Sequence, residues 1–255
     1  MGVITLDNAA RRNVHSQPMV TEIVAALTAI GQQRLRAVVL RAAPGSPVWS
    51  AGHDVDEMPE SGRDPLGWDD PLRQFIREIE ICRAPVIALV EGSVWGSVWG
   101  GACGTVFACD LVMADPGATF APTPSRLGVP YNISGMLTLL NASNMRIAKE
   151  MAFTAPPISA ERAERAERLG IINHVVTAAE LEAFCMAMAQ DIARHAPLSV
   201  SVEKEQWRIL AGAHPMTPEG FERVQGLRRL VCDSADHREG IRGFKEKRSP
   251  VLRGE

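Results

Sequence analysis

Apolar residues along this chain recur in two rhythms, and the change from one to the other divides it. Three short runs, Val3–Leu6, Arg36–Arg41 and Pro85–Val90, are rich in β-branched and aliphatic side chains. The latter two are apolar on both faces, the pattern of strands buried within a parallel sheet. Between the first two, Val20, Ile23, Val24, Leu27 and Ile30 follow the i, i+3, i+4, i+7 spacing of an amphipathic helix. Leu72, Phe75, Ile76 and Ile79 repeat that stripe before the third run. A short helix is expected from about Gly101, then a strand over Leu111–Ala114. This βαβ alternation predicts an α/β layered fold.

After about residue 140 the strand pattern gives way to helix. One run, Ile171–Val176, is flanked by helical patterns at Arg146–Phe153, Glu180–Ala193, Val200–Leu210 and Phe221–Cys232. A last helix is expected over Ala235–Lys247, with Ser234 as its N-cap. The chain therefore divides into an α/β core over 1–190 and a helical region over 191–255, whose mixed apolar faces predict contacts between subunits. Residues 58–71, MPESGRDPLGWDDP, are too rich in Gly, Pro and Asp to be helix or strand throughout. Loops of that length inside a domain usually serve function.

Composition narrows the function classes. With 255 residues, 46% of them hydrophobic, the chain can bury a substantial core. Its 27 basic and 30 acidic side chains leave a net charge of -3, without the basic excess that nucleic acid or an anionic membrane surface demands. No apolar run approaches the ~20 residues of a bilayer span. The start, MGVITLDNAARR, lacks a signal-peptide apolar region. Cys82, Cys103, Cys109, Cys185 and Cys232 are odd in number with no C-x-x-C pair, which fits a reducing compartment. A cytoplasmic protein is expected.

Two glycine-rich segments could carry chemistry. Ser50-Ala51-Gly52-His53-Asp54-Val55 follows the second strand, and its small residues permit close backbone approach. Gly100-Gly101-Ala102-Cys103-Gly104 follows the third strand and opens a helix, whose first N–H groups lack intrahelical partners. One N–H from each segment could converge on an oxyanion, a donor worth ~2.7–4 kcal/mol. Tight packing alone would also explain both segments. His53, Asp54 and Asp56 have no second histidine nearby, so no metal is expected. Neither a phosphate-binding glycine motif nor a G-x-S-x-G nucleophile elbow is present.

Two short tandem repeats also stand out: SVWGSVWG over Ser93–Gly100 and AERAERAER over Ala160–Arg168. Neither has the period of a solenoid, and the second reads as a solvated helix face.

The AGHDV segment, the run from Glu91 to Leu111 and the IINHVV strand resemble the crotonase, or enoyl-CoA hydratase/isomerase, superfamily. GRDPLGWDDPLRQ (62–74), EGSVWG (91–96), LGVPYN (127–132), IINHVV and FKEKRSP (244–250) resemble its methylmalonyl-CoA decarboxylase branch over nearly the whole chain. The resemblance implies a crotonase (ClpP-like) spiral of ββα turns with a C-terminal helical trimerisation region, assembled as trimers or dimers of trimers. It implies an acyl-CoA thioester substrate, with CoA part of the substrate and no separate cofactor. It implies that the thioester carbonyl sits between the N–H groups of His53 and Gly101. Tyr131, the single tyrosine of the chain, matches the active-site tyrosine, and Thr123 in the APTP segment a threonine near the acid group. Arg11, Val14, Ala51, Asp54 and Val55 fall where such enzymes hold CoA, and Lys247 where a lysine approaches its phosphate.

Hydratases of the superfamily add water with two glutamates; the corresponding positions here are Gly104 and Tyr131. Without those carboxylates the acid/base activation of water is missing. Loss of CO2 from a malonyl-type thioester needs no such base once the enolate is stabilised. A carboxylate facing the substrate's own would repel it by ~4 kcal/mol at 4 Å and an effective dielectric of 20. Decarboxylation is thus favoured over hydration, with a non-catalytic acyl-CoA-binding protein as a further alternative. Three departures from the pattern follow. One SVWG and one AER unit are extra, and the family's first strand, upstream of Val3, is absent from this sequence. The extra SVWG unit is expected either to bulge as a loop or to shift the oxyanion donor to Gly96 or Gly100.

Overall fold

A computed structural model of the chain describes residues 1–58, 70–91, 97–99, 101–121, 125, 128–154 and 167–255. Its strands, all parallel, are β1 (Gly2–Leu6), β2 (Val38–Ala42), β3 (Val86–Val90), β4 (Ser97–Trp99), β5 (Leu111–Ala114), β6 (Thr119–Ala121) and β7 (His174–Val175). Five form one sheet in the order β1-β2-β3-β5-β7, and β4 pairs with β6 beside it. Leu40 lies opposite Ala88, and Ala88 opposite Val112.

Every residue of β2 and β3 is buried, as their two-sided apolar runs require. One face is covered by α1 (Gln17–Gln32) and α2 (Pro71–Ile81), which bury Val20, Ile23, Leu27 and Ile30 and Phe75 and Ile79. Cys103 and Val106 of α3 (Gly101–Phe107) join the same core. On the other face Val39, Ile87, Leu89 and Met113 meet Leu181, Cys185 and Ala189, the latter three carried by a longer helix near the C-terminal end.

The remaining helices are α4 (Ile133–Asn141), α5 (Met145–Thr154), α6 (Ala178–Arg194, which supplies Leu181, Cys185 and Ala189), α7 (Pro197–Ala211), α8 (Pro218–Cys232) and α9 (Ala235–Lys245). The division proposed between 190 and 191 falls inside α6, whose buried face belongs to the core. Beyond it, α7 buries no residue fully and exposes Leu198, Trp207, Ile209 and Leu210. What ties α7 down is Lys204. Its ammonium donates to the carbonyls of Ile79 (3.0 Å) and Ala84 (3.2 Å) and meets the Asp110 carboxylate at 2.7 Å. A cation here complements the C-terminal end of α2.

Several expectations are corrected. Ile171 and Ile172 are buried as a turn, and only His174–Val175 pairs as strand. α4 had no counterpart in the pattern, nor did β6. Residues 97–99 of the SVWG repeat form β4, in register with Thr119–Ala121. The rest of that repeat, most of the 58–71 loop and AER residues 160–166 lie outside the described residues.

Candidate active site

The site begins where the chain leaves β1 and where it leaves β2. Residues 11–16 and 50–55 run side by side: His15 N–H donates to the Gly52 carbonyl at 2.7 Å, and Ala51 N–H to that of Arg12 at 2.9 Å. Arg12 and Asn13 adopt left-handed backbone, φ 55° and 50°, uncommon outside glycine but tolerated best by Asn. The buried Asn13 amide supports it, donating to the carbonyls of Val48 and Trp49, both at 3.1 Å. Gly52 has φ 87°, a conformation that calls for glycine. Ser50 is the hub. Its Oγ donates to the Asn13 carbonyl (2.6 Å), accepts from Gly52 N–H (3.0 Å) and contacts His15 Nε2 (3.0 Å). These contacts fix the backbone that presents His53. His53 is bridged to His15 as a parallel pair, so its own N–H faces away from residues 11–16.

That N–H faces α3. A Cβ added to Gly101 would lie 3.2 Å from the His53 backbone nitrogen and collide with Leu72 Cδ2. Such a Cβ is two bonds from the Gly101 nitrogen, so the two amide nitrogens lie at most about 6 Å apart. One oxygen accepting from both at ~2.9 Å fits that spacing. The first turn of α3 also supplies the positive end of its peptide dipoles.

Both nitrogens of the His53 ring are engaged by neighbouring residues. Nδ1 lies 2.9 Å from the Asp54 carbonyl, and Nε2 lies 2.5 Å from the Asp70 carboxylate. Burial by itself would lower the His53 pKa; the Asp70 hydrogen bond and charge, the Asp54 carbonyl and Glu57 outweigh it and raise the pKa above its ordinary value. Asp70 has a second task. Its Oδ1 caps α2, accepting from Leu72 N–H (2.9 Å) and Arg73 N–H (3.3 Å). His15 is the opposite case: burial, then the neighbouring His53 charge, pull its pKa down to about 3. It is a neutral strut between Ser50 and Thr105 of α3, whose Oγ1 is 3.5 Å from Nδ1. Since the Ser50 hydroxyl proton is used on Asn13, the proton of the His15 ring belongs on Nε2.

Tyr131 approaches from the loop before α4. Burial, and then the nearby Cys103 of α3, raise its phenol pKa well above the ordinary value, so it is un-ionised at neutral pH. Its ring lies over Gly135, where a Cβ would come within 2.8 Å of Cδ1. The preceding carbonyl, of Pro130, accepts from the buried Arg228 guanidinium at 2.5 Å. Gly128, φ 64°, lets the loop approach the Asp236 carbonyl and His237. Gly104 is tightly packed: a Cβ there would be 3.1 Å from Ile76 Cδ1, so a side chain at this position requires Ile76 to shift.

Of the residues anticipated, His53 and Gly101 come together, and Tyr131 stands beside the same helix. Arg11, Val14, Ala51, Asp54 and Val55 form one ridge, in which Arg11 pairs with the buried Asp54 at 3.0 Å. Lys247 is exposed just past α9, with φ 54°. Thr123, Gly96 and Gly100 lie outside the described residues. Sequence reasoning gave no individual role to His15, Ser50, Asp70 or Arg228. For Asp70 a signal existed, an Asp-Pro pair directly ahead of an amphipathic stripe. Among the described residues no group of three or more His, Cys, Asp or Glu could hold a metal.

The enoyl-CoA hydratase/isomerase family model matches residues 1–255, and the chain belongs to that family. Its parallel sheet and surrounding helices form the crotonase fold. Within the family, the chain is 45% identical to the methylmalonyl-CoA decarboxylase of Escherichia coli (strain K12) over 254 residues, covering 100% of this chain and 95% of that one. A solved methylmalonyl-CoA decarboxylase in complex with 2-nitronate-propionyl-CoA superimposes with TM-score 0.94 at 44% identity, covering 99% of this chain and 95% of the other. Another, complexed with 2S-carboxypropyl-CoA, gives TM-score 0.93 at 44% identity with the same coverage.

Proposed function

We propose that this protein is a carbon–carbon lyase that converts methylmalonyl-CoA to propionyl-CoA and CO2. The observation that carries the reading is the convergence of His53 N–H and the start of α3 at Gly101. A thioester oxygen seated there accepts two hydrogen bonds. As the bond from C2 to the carboxylate breaks, its electron pair moves into the thioester, and the negative charge collects on that oxygen. Donors aimed at developing charge stabilise the transition state more than the ground state. CO2 departs, and C2 then takes a proton from the medium to give propionyl-CoA.

Tyr131 serves as a neutral hydroxyl that orients the leaving carboxylate without repelling it, with Thr123 assisting. The Gly104 position supports this reading over hydration, because the absent base could not be accommodated without moving Ile76. Arg11, Val14, Ala51, Asp54 and Val55 form the ridge for CoA, and Lys247 reaches CoA phosphate from a neighbouring subunit. The apolar side chains exposed on α7 and α8, Trp207 (70%) and Leu230 (71%) among them, support assembly as a trimer or dimer of trimers. No described helix is long and apolar enough to cross a membrane; a cytoplasmic location accords with the five reduced, buried cysteines.

Incubation of purified protein with methylmalonyl-CoA, malonyl-CoA and crotonyl-CoA, followed by mass, tests the reading. Propionyl-CoA from the first, with crotonyl-CoA unchanged, supports it. Hydration of crotonyl-CoA without CO2 release, or binding without turnover, overturns it.

A further inference from the structure

The side chain of His53 is unused by the reaction just described, yet it is held as firmly as any in the site. Both of its nitrogens face acceptors: Nδ1 a peptide carbonyl and Nε2 a carboxylate. A peptide carbonyl cannot donate, and an ionised carboxylate cannot either. Each ring nitrogen therefore needs its own proton, and a ring with two is an imidazolium. The pair is nearly closed to solvent, the side chains being 9% and 7% exposed, so its mutual attraction is screened little.

Resting on the decarboxylase reading, we propose that Asp70 is a positioning residue: it holds His53 as an imidazolium and so fixes the backbone N–H that receives the enolate oxygen. The arrangement couples both halves of the oxyanion gap to the first turn of α2. Asp70 grips the residue that supplies one donor, while Leu72, two positions on, packs against Gly101. Among the described residues, the other ionisable groups that act on His53 are Glu57 from its own turn and His15 across the bridge, while Asp54 meets the ring through its carbonyl. Asp54 is paired with Arg11, and His15 is neutral. Asp70 is thus the anion bonded directly to the ring.

Asp70→Asn separates this role from helix capping. Asn retains an oxygen for the Leu72 and Arg73 N–H groups and caps as well as Asp, but it carries no charge for the ring. Asp70→Ser also caps and is too short to reach His53. Both keep the α2 cap, so a fall in melting temperature reports the lost pair with His53. kcat should fall at least ~10-fold, on the scale of a displaced donor, with KM for methylmalonyl-CoA changing less. The wild-type kcat should decline at alkaline pH as His53 loses its proton, and in Asp70→Asn that decline should move to lower pH. The ring 15N resonances of His53, assigned with His53→Gln, report charge without any turnover: both nitrogens should be protonated at pH 7 in the wild type and not in Asp70→Asn. A neutral His53 in the wild type, or an Asp70→Asn enzyme with unchanged kcat and pH profile, overturns the proposal. Failure of the wild type to decarboxylate would overturn the reading of function, while the 15N shifts would still decide the charge of His53.

Discussion

Replacing Gly101 by alanine is the smallest change that reaches the chemistry. The new methyl would stand 3.2 Å from the His53 nitrogen, about where an oxygen bonded to that N–H must lie, since N–H···O distances centre near 2.9 Å. It would also drive Leu72 Cδ2 aside. One donor at least is lost to the substrate, worth ~2.7–4 kcal/mol, or 10²–10³ in kcat. Stability should move little, because alanine favours helix over glycine by ~1 kcal/mol, offsetting the displacement of Leu72. Propionyl-CoA formation, followed by mass beside a melting curve, should show a stable protein with kcat reduced ~100- to 1000-fold. A folded Gly101→Ala enzyme within about threefold of wild type, under ~1 kcal/mol of barrier, would refute the oxyanion assignment.

Tyr131→Phe keeps the ring on Gly135 and removes only the hydroxyl; kcat for methylmalonyl-CoA should fall ~5- to 30-fold, the scale of one or two kcal/mol of lost hydrogen bonding, and an unchanged kcat would exclude the tyrosine from the reaction. His15 has its folded-state pKa depressed from 6.5 to about 3. Between those values the unfolded chain binds a proton that the folded protein does not, so stability is lost as pH falls below 6.5. Chemical denaturation at pH 7 and pH 4 should show that acid loss to be smaller in His15→Gln, by up to roughly 3 kcal/mol at 1.36 kcal/mol per pH unit; equal losses would show that His15 does not titrate in this way. Trp207→Glu combined with Leu230→Glu places charge on the apolar faces of α7 and α8 and should give monomers by light scattering, whereas an unaltered assembly would place the interface elsewhere.

Much of the fold was legible because its signals are periodic. β2 and β3 are apolar on both faces, and the stripes of α1 and α2 are buried as spaced. β4 and β6 were not legible: at three residues each, neither is long enough to show an alternation. α4 was missed because it buries only Thr138 and Leu139, too few for a stripe. The run at 171–176 misled because apolar residues can be buried in a turn as well as in a strand. In the candidate site, the two segments that meet at His53 and Gly101 were legible through their glycines. The groups behind them were not. A lone histidine such as His15 reads the same whether it struts a loop or fills a core, and Asp70 meets His53 across 17 positions, a pairing that only the fold creates.

In the proposed reaction a C–C bond breaks to leave an enolate held between His53 and Gly101. Turnover of methylmalonyl-CoA in deuterated water tests it most directly, with CO2 and propionyl-CoA counted together. One CO2 is expected for each propionyl-CoA, with one deuteron placed at C2 by protonation of that enolate. Thioester hydrolysis, or turnover of crotonyl-CoA with no CO2 from methylmalonyl-CoA, would contradict it.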